Sequence, residues 1–320
     1  MSTIALTHAH QKSQALRRPH PLVAVIAWEL RRYRSSRLFW LQALGFFGLA
    51  LFVTWVSQMP SQFNLGPGNV TYIGFVAGTS AWGLLLTLPT GVLLLLGLLL
   101  PFVNADGVSR DLSRRTHELL MTTPLPNWAY VWGRYLVGLL MSLGLAVMSL
   151  AALLGMGMAL HLTNPTYPLP LIGPVLLLWV GMMVAATVLV SSLSFALGTV
   201  FPRLSTLVKT AITLAWFVGA LVLPGGGGQG SSSSWYSNWD PTSTTTALSL
   251  LPGYQAAFNK LLHAVTSAAE FQQSFVAIEN MVPGNLAWLA PHLILAAGSL
   301  LLVLLAALSF QRFRGALSAS

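Results

Sequence analysis

The 320-residue chain contains no cysteine, and only 7% of its residues are charged. The first absence excludes disulfides, Cys-based zinc sites and thiol catalysis, and leaves the redox compartment open. The second lies far below the roughly 25% of a water-soluble domain, and a chain so poor in charge and rich in apolar residues is not a disordered one. Acids are scarcest of all, with 7 Asp and Glu against 16 Lys and Arg, a net charge of +9.

Several catalytic signatures are missing as well. No Gly-x-x-x-x-Gly-Lys-Ser/Thr occurs, and the glycine run Gly225–Gly228 with Gly230 is followed by serines rather than Gly-Lys, so it is no phosphate cradle. His117-Glu118 begins a zinc-protease pattern, but Met121 stands where the second histidine belongs. There is no Gly-x-Ser-x-Gly. The chain is therefore expected not to be an enzyme, and to hold no metal or cofactor of its own.

What is abundant is apolar sequence. Hydrophobic residues make up 55% of the chain, mean hydropathy is +0.70, and the apolar residues are gathered into runs. A membrane span needs about 20 such residues to cross a hydrocarbon layer roughly 30 Å thick. Six segments qualify: Leu38–Gln58, Ala81–Val103, Leu136–Leu160, Leu171–Val200, Leu207–Leu223 and Leu286–Phe310. Residues 1–20 are polar and no cleavage site follows the first apolar run, so that run is expected to remain attached.

The basic residues fall almost wholly on one side of this arrangement. The N-terminal segment, the loops after the second and fourth spans and the C-terminus hold 15 of the 16, against Lys260 alone on the other side. Because Lys and Arg are retained in the cytoplasm, both termini are expected there, in a multi-pass protein of the plasma (inner) membrane. The positive excess is thus read as a determinant of orientation, with no nucleic-acid partner. Span interiors lack Asp, Glu, Lys and Arg, which argues strongly against a proton relay and less strongly against sodium coupling.

Two connecting regions carry pattern. Leu22, Val25, Ile26, Leu30 and Tyr33 recur at helical spacing, with Arg31, Arg32, Arg34 and Arg37 on the other faces, as in an amphipathic helix lying at the cytoplasmic interface near anionic lipid. The external loop 224–285 is too long for a mere connection. From Gly253 to Val282 its apolar residues return at helical spacing, predicting a helix or a broken pair of helices against the outer leaflet. Trp235, Tyr236, Trp239, Tyr254 and Phe258 are candidates for an external gate, or for interfacial anchors, the reading slightly preferred.

The segment between the second and third spans, Val108 to Leu136, reads VSRDLSRRTHELLMTTPLPNWAYVWGRYL. Val108, Leu112, Leu119 and Leu120 have approximate helical spacing, beside a mixed-charge surface of Arg110, Asp111, Arg114, Arg115 and Glu118. A short cytoplasmic helix held between two spans would move both when pushed. Here the sequence resembles the permease subunits of ABC-2 type transporters, whose loop often reads S-R-E-x-x-R-G-T-x-E-L-L-x-x-T-P, followed by a bulky residue and G-K. Ser109, Arg110, Asp111, Arg114, Thr116, Glu118, Leu119, Leu120, Thr123, Pro124, Trp128, Gly133 and Arg134 fall in register; Arg115 and His117 depart from the pattern.

The resemblance implies an all-α membrane protein of six transmembrane helices, with an N-terminal amphipathic elbow helix, a cytoplasmic coupling helix and a large helical external loop. Residues 21–314 would form the permease, flanked by polar tails at 1–20 and 315–320. It further implies pairing with a second permease copy, identical or not, and docking of a separate ATP-binding subunit, which would hold the ATP and Mg, on Arg110, Asp111, Arg114, Arg115 and Glu118. Surface salt links within the helix, such as Asp111 with Arg115, are the plainer role for these residues. The apolar spans suit export of an amphiphilic or hydrophobic cargo. Two other functions remain open at this point, a membrane anchor or scaffold that moves nothing, and a sodium-coupled carrier.

Overall fold

The computed structural model describes residues 20–57, 59–65, 70–106, 126–164, 166–222, 224, 235–264 and 267–310. Among the described residues six helices are long and apolar enough to cross a membrane, and the chain is a multi-pass membrane protein. They are α2 (Arg37–Val56), α3 (Ala81–Asn104), α4 (Asn127–Thr163), α5 (Ile172–Val200), α6 (Pro202–Val222) and α9 (Leu289–Ser309). A helix α1 (Pro21–Ser35) precedes them. The pair α7 (Thr244–Ala264) and α8 (Ala268–Glu279) lies between α6 and α9.

Helix ends follow from local chemistry. Ser36 has an extended backbone and its hydroxyl accepts the Phe39 N–H at 3.3 Å, ending α1 and capping α2. Ser80 caps α3 in the same way through Gly83 N–H, at 3.0 Å. Asp240 prepares α7: one carboxylate oxygen accepts from the amide and hydroxyl of Thr242, the other from those of Thr245. This cap starts α7 nine residues before Gly253, and Pro252 lies inside the helix. Between the cap and the helix, Ser243 has φ 60°, and its buried hydroxyl has no partner among the described residues. A non-glycine residue in this region costs about 1–2 kcal/mol, so Ser243→Gly is expected to stabilise the protein by about 1 kcal/mol in a thermal-unfolding assay.

The region between α2 and α3 is not simply a loop. Strands β1 (Met59–Leu65) and β2 (Val70–Val76) pair antiparallel, Met59 opposite Val76 and Leu65 opposite Val70. The β-branched and aromatic run Val70–Ile73 and the Gly66-Pro67-Gly68-Asn69 sequence between the strands are ordinary hairpin signals.

α3 and α5 form the centre of the bundle, being 56% and 67% buried, whereas α2, α6 and α9 are each 28% buried or less and leave wide apolar faces uncovered. The central crossings use small residues, which let helices approach in a membrane where apolar faces alone give little drive to associate. At Gly198 of α5 any side chain would overlap the carbonyl of Ala105. The expectation that the span interiors carry no charge holds away from the ends of the six apolar runs, Lys209 standing two residues inside the fifth, but their polar content is larger than charge alone indicates. Asn104 Nδ2 donates to Ser142 Oγ at 2.9 Å, and the Tyr135 and Ser192 hydroxyls lie 2.8 Å apart, a neutral hydrogen-bonded seam joining α3, α4 and α5. Three single π-turns interrupt α3, α5 and α6 at Leu88–Leu93, Trp179–Val184 and Val218–Val222. The first contains Pro89, whose ring and missing N–H do not fit a regular helical ladder.

α7 and α8 are packed onto the bundle rather than loosely attached. Trp82 at the start of α3 meets Tyr254, Phe258 and Phe275, with ring centroids 5.8, 5.9 and 6.3 Å away. The stripe Tyr254, Phe258 and Leu261 of α7 and Phe271 and Phe275 of α8 is buried in the same core as Leu84 and Leu88. The predicted broken helix pair is therefore present and forms a cap over one end of the bundle.

Candidate functional site at the charged end

The opposite end of the bundle gathers α1, the last turn of α3 and the first turns of α4 and α6. On α1 the expected apolar stripe is seated, Val25 buried and Leu22, Ile26, Leu30 and Tyr33 half-buried. Glu29 lies on that stripe too, four residues after Val25 and four before Tyr33, and is only 4% exposed. A carboxylate in such a place requires a partner. Arg134 of α4, also 4% exposed, provides it: Nε lies 2.9 Å from Glu29 Oε1. Arg32 approaches the other oxygen at 3.1 Å, from the half-exposed side. The Arg134 guanidinium also lies over the Tyr130 ring, 4.5 Å from its centroid, and 5.6 Å from that of Trp28.

Two further ties bind the end of α3. Tyr33 donates its hydroxyl to the Val103 carbonyl at 3.3 Å, and burial, followed by the nearby Glu29 carboxylate, raises its pKa. Lys209 of α6 pairs with Asp106 at 2.6 Å and sits 6.0 Å from the Phe102 ring. Gly133 lets α4 rest on α1, since a methyl there would crowd the Val25 side chain at 2.6 Å. Glu29, Arg32, Tyr33, Asn104, Asp106 and Arg134 line one crevice between these helices.

The five predicted docking residues, Arg110, Asp111, Arg114, Arg115 and Glu118, lie outside the described residues. What is described is how their segment is attached at each end. It leaves α3 at Asp106, which is held to α6, and rejoins the chain at Pro126, next to the first turns of α4, which are held to α1 through Arg134. Arg134, matched above to the basic residue that follows the loop motif, faces inward to Glu29. α4 begins at Asn127, nine residues before the predicted Leu136, and at 37 residues is the longest of the helices. With 1.5 Å per residue its length is about 55 Å, nearly twice the roughly 30 Å of a bilayer's hydrocarbon core.

The gate candidates separate into two groups. Tyr254 and Phe258 are buried against Trp82, with the Tyr254 hydroxyl donating to the Met281 carbonyl. Burial pushes the Tyr254 pKa to about 12. Tyr236 and Trp239 are exposed, 48% and 40%, as interfacial rings would be. The Trp235 backbone lies in the same short helical turn, Trp235–Trp239. The structure therefore brings two of these five residues together in the cap core.

No group of three or more His, Asp or Glu suited to a metal ion occurs among the described residues. The chain matches no protein-family model, no curated protein and no solved structure.

Proposed function

We propose that this chain is the membrane-spanning permease subunit of an ABC-2 type exporter, driven by a separate ATPase that docks on the segment 107–125. The observation that carries this reading is the anchoring of that segment: a loop with the Arg110-Asp111, Arg114, Thr116, Glu118-Leu119-Leu120, Thr123-Pro124 pattern is joined at one end to α3 and α6 and at the other to α4 and α1. A force that arrives at either end of the segment passes to four helices through ion pairs and close contacts. α1 is then the elbow helix, lying in the cytoplasmic interface with Arg31, Arg34 and Arg37 exposed to anionic headgroups.

Closure of the ATPase pair would press on the segment and tilt α3 and α4 together, with α1 carried along by Glu29 and Tyr33, so that the bundle changes from one packing to another. The uncovered apolar faces suit a second permease copy and lipid. The path between two such copies would have apolar and small-residue walls, which favours an amphiphilic or hydrophobic cargo. The cap, on the far side, would cover the exit.

Affinity purification from native membranes tests this directly. The wild-type chain is expected to bring down an ATPase carrying Gly-x-x-x-x-Gly-Lys-Ser/Thr, and the double reversal Arg114→Glu/Arg115→Glu is expected to reduce its recovery at least tenfold while leaving the chain folded. Purification without any such ATPase would leave the scaffold or the sodium-coupled reading standing instead.

A further inference from the structure

The cap contains a second buried acid, and among the described residues no cation lies opposite it. Glu279, the last residue of α8, is fully buried at 0% exposure. It continues the stripe of Phe271 and Phe275, each four residues from the next, and so points where a phenylalanine or leucine would be expected. One carboxyl oxygen accepts the Ala77 N–H at 2.9 Å, across 202 residues of sequence. The other has no partner among the described residues. Ala77 lies in the turn that Ser80 closes to start α3, the Ser80 hydroxyl donating to the Ala77 carbonyl at 2.7 Å. The carboxyl therefore joins the C-terminal end of α8 to the turn that begins a central span.

The groups around it are nearly all neutral. From the leader of α3 come Ala77, Thr79 and Ser80. From the 164–171 connection comes Tyr167, its hydroxyl 3.0 Å from that of Thr79, its pKa raised mainly by burial. α7 contributes Tyr254, while its Lys260 and His263 are exposed. β2, which lies against α8, has Tyr72 as its one titratable residue, and Glu270 is exposed at the opposite end of α8. Among the described residues an ionised carboxylate here would face no positive charge beyond the partial charge at the start of α3. Burial pushes the Glu279 pKa from 4.5 to about 8, against the smaller opposing pull of hydrogen bonding, foremost that from the Ala77 N–H.

We propose that Glu279 is a proton-binding latch: its neutral carboxyl closes α8 onto the start of α3, and loss of the proton frees the cap. This does not depend on the chain being a permease, only on the cap being able to separate from the bundle. The sign follows from linkage. The closed form holds a proton that an opened, hydrated carboxyl gives up, so closure is strongest below about 4.5, weakens as pH rises through the interval up to about 8, and is constant above it. Where one proton separates the two forms, the open population changes about tenfold per pH unit.

Hydrogen exchange of the purified full-length chain, corrected for the intrinsic pH dependence of amide exchange, provides the test. Protection of Phe271–Asn280, relative to α5 in the same sample, is expected to fall by roughly tenfold per unit between about pH 5.5 and 7.5 and to level off above about 8. In Glu279→Gln, which keeps the shape of the neutral acid, it should be flat. The same slope in wild type and variant, or no slope in wild type, would overturn the latch. Should the variant fail to fold, infrared titration of the wild-type protein gives an independent reading. A protonated carboxyl persisting at about pH 7 and titrating near 8 supports the proposal, and its absence refutes it.

Discussion

Replacing Arg134 by methionine is expected to destabilise the folded chain by about 3–5 kcal/mol, the usual cost of leaving one member of a buried ion pair alone. Glu29 would remain inside the seam between α1 and α4 with only the half-exposed Arg32 to turn to. The double change Glu29→Leu/Arg134→Met should recover most of that loss, since a buried pair replaced by apolar groups of similar size is often neutral. Thermal unfolding of the four proteins of this cycle measures the coupling. In the proposed mechanism the double variant would fold yet lose orientation between elbow helix and span, so ATPase activity of the assembled complex should persist while transport falls. A cycle in which the two single losses simply add would remove the pair from the account.

The second large effect is expected at Gly198. Even an alanine there must displace the Ala105 backbone, and Ala105 adjoins Asp106, the point at which the proposed coupling segment leaves α3. Overpacking of this kind costs about 1–3 kcal/mol and more when the obstacle is backbone, so Gly198→Leu is expected at or above the upper end. Gly144 of α4 serves as the control, because a methyl added there would meet no atom within 4 Å: Gly144→Ala should be neutral or slightly stabilising. Equal losses at the two positions would show that the α3–α5 crossing is not tightly packed.

The spans are legible because bilayer thickness writes itself into sequence as long apolar runs, and all six runs are helices. Their ends are less so. An apolar window places the start of the third span at Leu136, because it stops at the charged residue 134; Arg134 is instead neutralised by Glu29, a residue more than a hundred positions away, and the helix continues back through it. Glu29 and Glu279 escape an apolar reading for the same reason. Each occupies a position that helical spacing assigns to the buried face, and a stripe read only for its apolar members omits the acid standing within it. The spacing signal that reveals them is present in both helices. The hydrogen bonds of Asn104, Ser142, Tyr135 and Ser192 have no such signal, since single polar residues on three separate spans acquire meaning only when the spans are placed side by side.

The cap shows a related limit. Its two helices and the break between them follow from the periodicity, but Pro252-Gly253 suggests a start that the Asp240 cap places earlier, at Thr244. Periodicity also does not distinguish a surface resting on lipid from one resting on protein. Tyr254 and Phe258 have the spacing of either, and only Trp82, contributed by a distant span, decides that they belong to the core.

The proposed coupling requires that the charged end face the cytoplasm and the cap face outward. The absence of cysteine makes this directly measurable. Single cysteines at Ser35, exposed where α1 ends, and at Gln255, exposed on α7, can be treated in intact cells with a membrane-impermeant maleimide. Gln255→Cys is expected to be labelled at once, and Ser35→Cys only after the membrane is permeabilised. Labelling of Ser35→Cys in intact cells, or of both positions from the same side, would contradict the account.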